Sequence, residues 1–242
     1  MTSALRSFSS TFIRPTDRDA RWLLAAALLT CVTAATGVVR FSLVGTHTWT
    51  FLLKNMFLAW IPGLVAFGLI RSRRLPTAAF VTLCLLWLTF LPNAPYIVTD
   101  VIHLSTPRRT VLWLDVLVVG SASLAGLLLT FASTEWTLRA VAMRLNRRTM
   151  PLTAYMCVIA LAAFGVYFGR FARWNSWEIV TRPGDLVTDF AQRIVASDPW
   201  IFAAIFGGCL AIGQYVFHLM AAGPEDQRPR VAPVHVDPKT SE

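Results

Sequence analysis

The stretch LPNAPYIVTDVIHL, residues 91–104, decides how the middle of this chain folds. It follows an apolar run, and its two prolines lack backbone donors and push the residues before them away from helical angles. An apolar helix should therefore end near Leu91. A second helix can begin at Pro95, because proline is well tolerated at the first helical position. In that helix Tyr96, Asp100 and His103 would share one face, at positions i, i+4 and i+7.

The composition on either side of this stretch is that of a membrane protein. Of 242 residues, 55% are hydrophobic and 14% are charged, whereas about 25% are charged in a typical soluble domain. We predict an all-α, polytopic bundle of about six spans within residues 21–220, because six apolar runs approach the length that crosses a bilayer. These runs are residues 22–39, 49–70, 77–91, 110–131, 151–170 and 199–220. Residues 1–20 and 221–242 are predicted to be cytoplasmic tails, and the Pro-rich, charged composition of the second is typical of disorder.

Shorter segments add detail to this layout. Residues 77–91 would cover only about 22 Å at ~1.5 Å per residue, so the segment after them is predicted to lie partly in the membrane, as a re-entrant or interfacial piece. Residues 133–148, with Ser133 as N-cap, and residues 185–195 have the pattern of interfacial amphipathic helices. Small residues in GSASLAG, 120–126, and in the GxxxG motif at 165–169 should let helices approach closely.

The formal charge of +9 would suggest nucleic acid as a partner of a soluble protein. Here the basic residues lie between apolar runs, where they determine topology, so we expect the lipid bilayer as partner and no nucleic acid. With both termini in the cytoplasm, the inner segments hold 14 Lys and Arg: Arg6, Arg14, Arg18, Arg21, Arg71, Arg73, Arg74, Arg139, Arg144, Arg147, Arg148, Arg228, Arg230 and Lys239. The outer segments hold 6: Arg40, Arg108, Arg109, Arg173, Arg182 and Arg193. This asymmetry favours a multi-pass protein with cytoplasmic termini.

Two segments resemble a known family. LPNAPYIVTDVIHL and the later segment GVYFGRFARWNSWEI, residues 165–179, are similar to the recurrent segments of family 1361 of the domains of unknown function, which are bacterial integral membrane proteins. The resemblance implies a multi-pass protein of a bacterial inner membrane. It implies no activity, since the family has none assigned.

Most ionisable residues in or beside the predicted spans fall at one depth, near their outer ends. Embedded ionisable groups are costly and usually face a bundle interior or water. We therefore predict one outward-facing polar pocket. Lys54 and Asp115 should form an embedded ion pair there, unless Lys54 extends alone to the interface. The two family segments should pack together, because Asp100 on one is complementary to Arg170 and Arg173 on the other.

Several readings of this pocket remain open. Asp100 and His103 are candidate catalytic residues as an acid–base pair, or candidate metal ligands with Glu178 or His47, although no complete ligand set is present. Arg170 and Arg173 could clamp a phosphate or carboxylate, or bind Asp100, Glu178 or lipid headgroups. The predicted lining residues are Asn93, Tyr96, Arg170, Arg173, Asn175, Trp177 and Glu178. The simpler alternative for Asn93 and Asn175 is that Asn93 caps the helix after the break and Asn175 caps a turn.

Three classes of function fit this sequence. The first is a binding or assembly protein whose pocket recognises an anionic lipid headgroup or another anionic, lipid-linked ligand. The second is a membrane-embedded hydrolase or transferase acting from the outer side on a lipid-linked or phosphorylated substrate. The third is a transporter, which is less favoured because the first and last spans offer no polar path and no inverted repeat is present. No GxSxG, Walker or glycine-rich phosphate-binding motif indicates a particular reaction.

Overall fold

The computed structural model describes residues 17–45, 49–72, 75–105 and 111–221, and these fold into helices without a β-strand. The helices are α1 (Asp17–Val44), α2 (Thr50–Arg71), α3 (Thr77–Phe90), α4 (Asn93–Tyr96), the 3₁₀ helix η1 (Ile97–Ser105), α5 (Leu112–Arg144), α6 (Leu152–Arg170), α7 (Glu178–Thr181), α8 (Pro183–Arg193) and α9 (Asp198–Ala221). Six helical stretches of the described chain are long and apolar enough to cross a membrane. The predicted all-α, multi-span architecture is confirmed. The second tail and most of the first lie outside the described residues.

The segment after the third span differs from the helix predicted to begin at Pro95. A short α-helix begins at Asn93, and Ile97–Ser105 is a 3₁₀ helix. In a 3₁₀ helix residues three apart line up, so Asp100 shares a row with Ile97 and not with Tyr96. This register puts the side chains of both Ile97 and Asp100 in the protein interior, where each is fully buried.

Helix α5 is the centre of the bundle. It packs against α1, α2, α4, η1, α6 and α9. The prediction of a separate surface helix at 133–148 is wrong, because α5 continues without a break to Arg144. No glycine or proline interrupts residues 127–144, and Ser133 is a buried mid-helix residue, not a cap. Two residues of this part bind α1 and α9: Trp136 donates to Asp19 at 2.9 Å, and Glu135 contacts His218 at 2.9 Å.

Two glycines make room for the turn between α3 and α4 in the bundle. A Cβ added to Gly126 of α5 would clash with the carbonyl oxygen of Ala94, and one added to Gly165 of α6 would clash with the Pro92 ring. Gly126 and Gly165 therefore admit this turn, and Ser121 of the first small-residue motif contacts the long helix α1, with its Oγ 2.9 Å from Thr33 Oγ1. We call the end of the bundle where α4, η1, α7 and α8 lie the motif end. The chain reaches the opposite end at Arg71, Arg144 and Ala221.

Candidate functional site

The second family segment folds by reversing the chain at the end of α6. Arg173 has φ 62°, a left-handed conformation that is uncommon for a residue other than glycine. The Trp174 N–H then donates back to the Phe168 carbonyl oxygen at 3.2 Å, which closes the end of the helix. This hydrogen bond and the left-handed conformation of Arg173 turn the chain from α6 toward α7 at the motif end.

Glu178 fixes the next turn. Its Oε2 accepts hydrogen bonds from the Asn175 backbone N–H at 2.7 Å and from Asn175 Nδ2 at 3.0 Å. These donors, followed by the nearby charge of Arg182, hold the pKa of the Glu178 carboxyl below its usual value. Glu178 therefore serves as the acceptor that organises the loop, and Asn175 donates to it.

A buried ion pair joins the two family segments. Arg170 Nη2 lies 2.5 Å from Asp100 Oδ1, and the exposed fractions of the two side chains are 12% and 1%. Asn55 Nδ2 donates to the other carboxylate oxygen at 3.0 Å. Arg170 Nε donates to Thr99 Oγ1 at 2.8 Å, and its guanidinium carbon lies 4.5 Å from the centre of the Tyr96 ring. The structure thus brings Asp100, Tyr96 and Arg170 together and occupies Arg170 with protein partners.

Asn93 makes a second connection between the segments. Its Nδ2 donates to the Phe90 carbonyl oxygen at 2.9 Å and to Ser176 Oγ at 2.8 Å. The first bond satisfies an end carbonyl of α3, and the second holds the chain that follows α6. Asn93 therefore joins the helix break to the loop of Asn175 and Glu178, and does not cap the N-terminus of α4.

A cavity of about 820 Å³ lies where these segments meet. Its polar lining includes Lys54, His103, Arg170, Arg173 and Ser176, together with Asn55, Asn93, Tyr96, Trp174 and Asn175. Its apolar lining includes Leu58, Leu161, Phe164 and Phe168, together with Ile179, Leu186, Val187 and Phe190. Trp177 is not part of the lining but stands beside it, with its ring 5.0 Å from Lys54 Nζ.

The lining is cationic. Lys54, Arg170 and Arg173 contribute to it, and among the described residues that line it there is no carboxylate. The carboxylate of Asp100, which is not part of the lining, neutralises the charge of Arg170. Within the described ranges, neither the Arg173 nor the Lys54 side chain forms a hydrogen bond or an ion pair. Lys54 makes a cation–π contact with the Trp177 ring. Two positive charges therefore face the cavity without an acidic partner.

Helix α8 forms one wall and is only lightly attached. None of its residues is buried. The Phe190 ring stacks on Phe168 at 5.1 Å, and Asp189 Oδ2 accepts from Trp174 Nε1 at 2.8 Å. Partial burial opposes ionisation of Asp189, but the hydrogen bonds from Trp174 and Arg193 lower its pKa overall. Among the described residues, the contacts that hold this wall include the ring contact, the charge-assisted hydrogen bond and an interaction of Arg193 with Tyr167 of α6.

The predicted ion pair between Lys54 and Asp115 is not formed. Asp115 Oδ1 accepts from Arg40 Nε at 2.6 Å and from Trp49 Nε1 at 2.5 Å, in a fully buried position. Sequence patterning had placed Arg40 in an outer loop. The structure continues α1 as far as Val44, so Arg40 projects from a helix into the bundle next to α5. Asp115 therefore binds the cation that its helix packs against, and Lys54 faces the cavity.

His103 lies on the cavity wall, with Nε2 4.0 Å from Asp100 Oδ1 and 44% of its side chain exposed. Its ring also lies against Phe51, with centroids 5.2 Å apart. Among the described residues there is no group of three or more His, Cys, Asp or Glu side chains placed to hold a metal ion. Glu178 is engaged by Asn175, and the other candidate ligand, His47, lies outside the described residues.

The polar residues of this region that were not predicted as site residues include Asn55, Thr99, Ser176 and Arg40. Asn55 carried a usable signal, since it follows Lys54 inside an apolar run and buried amides need partners. Thr99 and Ser176 lie within the two family segments, but their hydroxyls gave no reason to be chosen over their neighbours. The packing of the helices is what brings Thr99, Ser176 and Arg40 to their partners.

The family model described as a protein of unknown function, DUF1361, matches residues 54–212. The chain belongs to this family. The matched region begins at Lys54 and contains the whole cavity lining, so the site lies in the part of the chain that is characteristic of DUF1361. Neither the curated proteins nor the solved structures contain a significant match to the chain.

Proposed function

We propose that this DUF1361 protein binds an anionic group in the cavity at the motif end. The observation that carries the proposal is the lining: Lys54, Arg170 and Arg173 face one cavity in which no described lining residue is acidic. A guanidinium presents several donors in a planar fork that suits phosphate or carboxylate. Because Asp100 already occupies Arg170, the uncompensated charges that favour an anion are those of Lys54 and Arg173.

The position of these charges supports the same proposal. Arg173 has a left-handed backbone conformation. Such conformations are costly, persist only where the surrounding structure stabilises them, and are concentrated at ligand-binding and active sites. The Asn93–Ser176 and Asn175–Glu178 hydrogen bonds fix the loop that follows Arg173, and the Arg170–Asp100 ion pair fixes the helix end before it. The guanidinium is therefore presented from a backbone that the two family segments organise.

We further propose that the motif end faces outward from a bacterial inner membrane, with both termini in the cytoplasm. The excess of Lys and Arg on the opposite side of the spans supports this orientation. Reporter fusions at Arg74 and Arg147 should report the cytoplasm, and fusions at Ser105 and Asn175 the outside. An outside signal at Arg74 with an inside signal at Ser105 would reverse the orientation.

Anion binding is tested by titrating ethyl phosphate against the protein in phosphatidylcholine nanodiscs, with tryptophan fluorescence as readout. Trp174 and Trp177 stand at the site, so occupation should change their emission. Arg173→Gln should weaken binding ~10-fold or more, since hydrogen bonds to charged groups contribute about 1.5–3 kcal/mol. The matched control is Arg147→Gln, an exposed arginine at the opposite end. Equal affinity in the wild type and Arg173→Gln would refute the proposal.

An enzymatic function acting on such a ligand is the second candidate. It rests on His103, which lines the cavity with Asp100 beside it. The Asp100 carboxylate accepts hydrogen bonds from Arg170 and Asn55, so it is placed to position neighbouring groups. The variant His103→Gln distinguishes binding from catalysis. It should retain ethyl phosphate binding in either case. If the protein is a hydrolase or transferase, the variant should lose turnover of a phosphorylated lipid.

A further inference from the structure

The cavity continues well beyond its cationic end. Its lining includes Leu161 and Arg170 on the same helix, α6. Nine residues of α-helix cover about 13.5 Å at ~1.5 Å per residue. The apolar part of the cavity therefore extends from the charged end to nearly the middle of a hydrocarbon core that is ~30 Å thick.

Two walls of the cavity are apolar. Leu161, Phe164 and Phe168 line it from α6, and Leu186, Val187 and Phe190 line it from α8. Several of these side chains are open to the surroundings: Leu161 is 55% exposed and Val187 is 65% exposed. In a bilayer these residues face acyl chains, so the cavity opens sideways toward lipid as well as toward the motif end.

A small anion would satisfy only half of this cavity. A phosphate at Lys54 and Arg173 does not reach the apolar surface near Leu161, which is then covered only by the chains of surrounding lipid. An alkyl chain attached to that phosphate would follow α6 inward, and its contact with apolar side chains would contribute favourably with each buried methylene. The polar and apolar parts are arranged in the order in which they occur along a lipid that enters from one leaflet.

We propose that the ligand is an amphiphile: a phosphate-bearing lipid whose headgroup lies between Lys54 and Arg173 and whose alkyl chain lies along Leu161 and Phe164. This inference rests on the proposed anion binding and adds the class of ligand. Arg170 is a positioning residue in this arrangement, because its Nε and Nη2 already donate to Thr99 and Asp100. Free phosphate is the competing source of the same headgroup chemistry.

The test uses ethyl, hexyl and dodecyl phosphate with the full chain in phosphatidylcholine nanodiscs, and subtracts partition into nanodiscs without protein. Dodecyl phosphate should bind at least ~100-fold more tightly than ethyl phosphate, since one buried methylene changes affinity by roughly 4-fold. Leu161→Gln should lower dodecyl phosphate affinity several-fold and leave ethyl phosphate unchanged. Leu161→Trp, which fills the space with a larger and mostly apolar side chain, should have the same effect.

The matched control is Leu124→Gln on α5, where a leucine of similar exposure lies outside the cavity lining. Equal changes in dodecyl phosphate binding in the Leu161 and Leu124 variants would overturn the inference. Equal binding of ethyl and dodecyl phosphate would also overturn it, but would leave anion binding intact. Failure of every probe to bind more tightly to the wild type than to Arg173→Gln would overturn both proposals.

Discussion

Replacing Asp100 by asparagine should destabilise the bundle strongly, because it removes the carboxylate of a buried ion pair. The carboxylate is 1% exposed, and it accepts from Arg170 at 2.5 Å and from Asn55 at 3.0 Å. Removing one partner of a buried pair typically costs about 3–5 kcal/mol, because the other charge stays buried without compensation. The new amide keeps one acceptor oxygen but places its NH2 group against a donor of Arg170 or Asn55, so one of the two partners loses its hydrogen bond.

The magnitude is best measured by a double-mutant cycle of Asp100→Asn and Arg170→Gln. The free energy of unfolding should be determined in mild detergent by chemical denaturation, with tryptophan fluorescence as the signal. Each single variant should lose about 3–5 kcal/mol. The double variant should lose less than the sum, with a coupling of ~1–3 kcal/mol, because it leaves no unpaired charge.

Asp185→Asn is the control for this cycle. Asp185 lies 3.9 Å from Arg182 in a pair whose side chains are 70% and 57% exposed. Exposed pairs contribute at most about 1 kcal/mol, so this variant should unfold almost as the wild type does. Strictly additive losses in the Asp100–Arg170 cycle, or a loss from Asp100→Asn no larger than that from Asp185→Asn, would refute the reasoning.

Three further predictions follow from the same contacts. Gly126→Ala should lower stability by about 1–3 kcal/mol, because its Cβ meets a backbone carbonyl that cannot move away easily; Gly68→Ala, with nothing within 4 Å, should be neutral or stabilising in the same thermal unfolding assay. Lys54→Met and Asp115→Asn should have additive effects on unfolding free energy, since the two residues do not pair, and a large coupling would contradict the structure. The lowered pKa of Glu178 means that its carboxylate stabilises its loop above the usual pKa of 4.5, and that this is lost as the pH falls through the lowered pKa; Glu178→Gln should remove that acid-induced change in tryptophan fluorescence.

Charge complementarity was sufficient to predict one contact of the site. The sequence places Asp100 and the Arg170–Arg173 pair after spans that end on the same side, and a carboxylate beside apolar residues needs a cation. The structure joins Asp100 to Arg170. The same reasoning failed for Asp115, because two cations lay at a suitable depth and hydropathy placed Arg40 outside the membrane span. Choosing between Arg40 and Lys54 requires the rotation of each helix about its axis.

The sequence by itself determined the number and class of the long helices, because length and apolarity are properties of each stretch alone. It also located the end of α3 next to Leu91, since Pro92 and Pro95 lack backbone donors. The predicted departure of the preceding residues from helical angles was wrong, because Leu91 keeps φ −52° and ψ −42° and Ala94 lies within α4. Tertiary structure decided the remainder. The 3₁₀ form of Ile97–Ser105, the continuity of α5 through Ser133 and the partner of Asp115 all depend on which neighbour covers a given face. Turning a helix by one residue moves a side chain through ~100°, so a face that is buried or exposed is settled only when the neighbouring helices are packed against it.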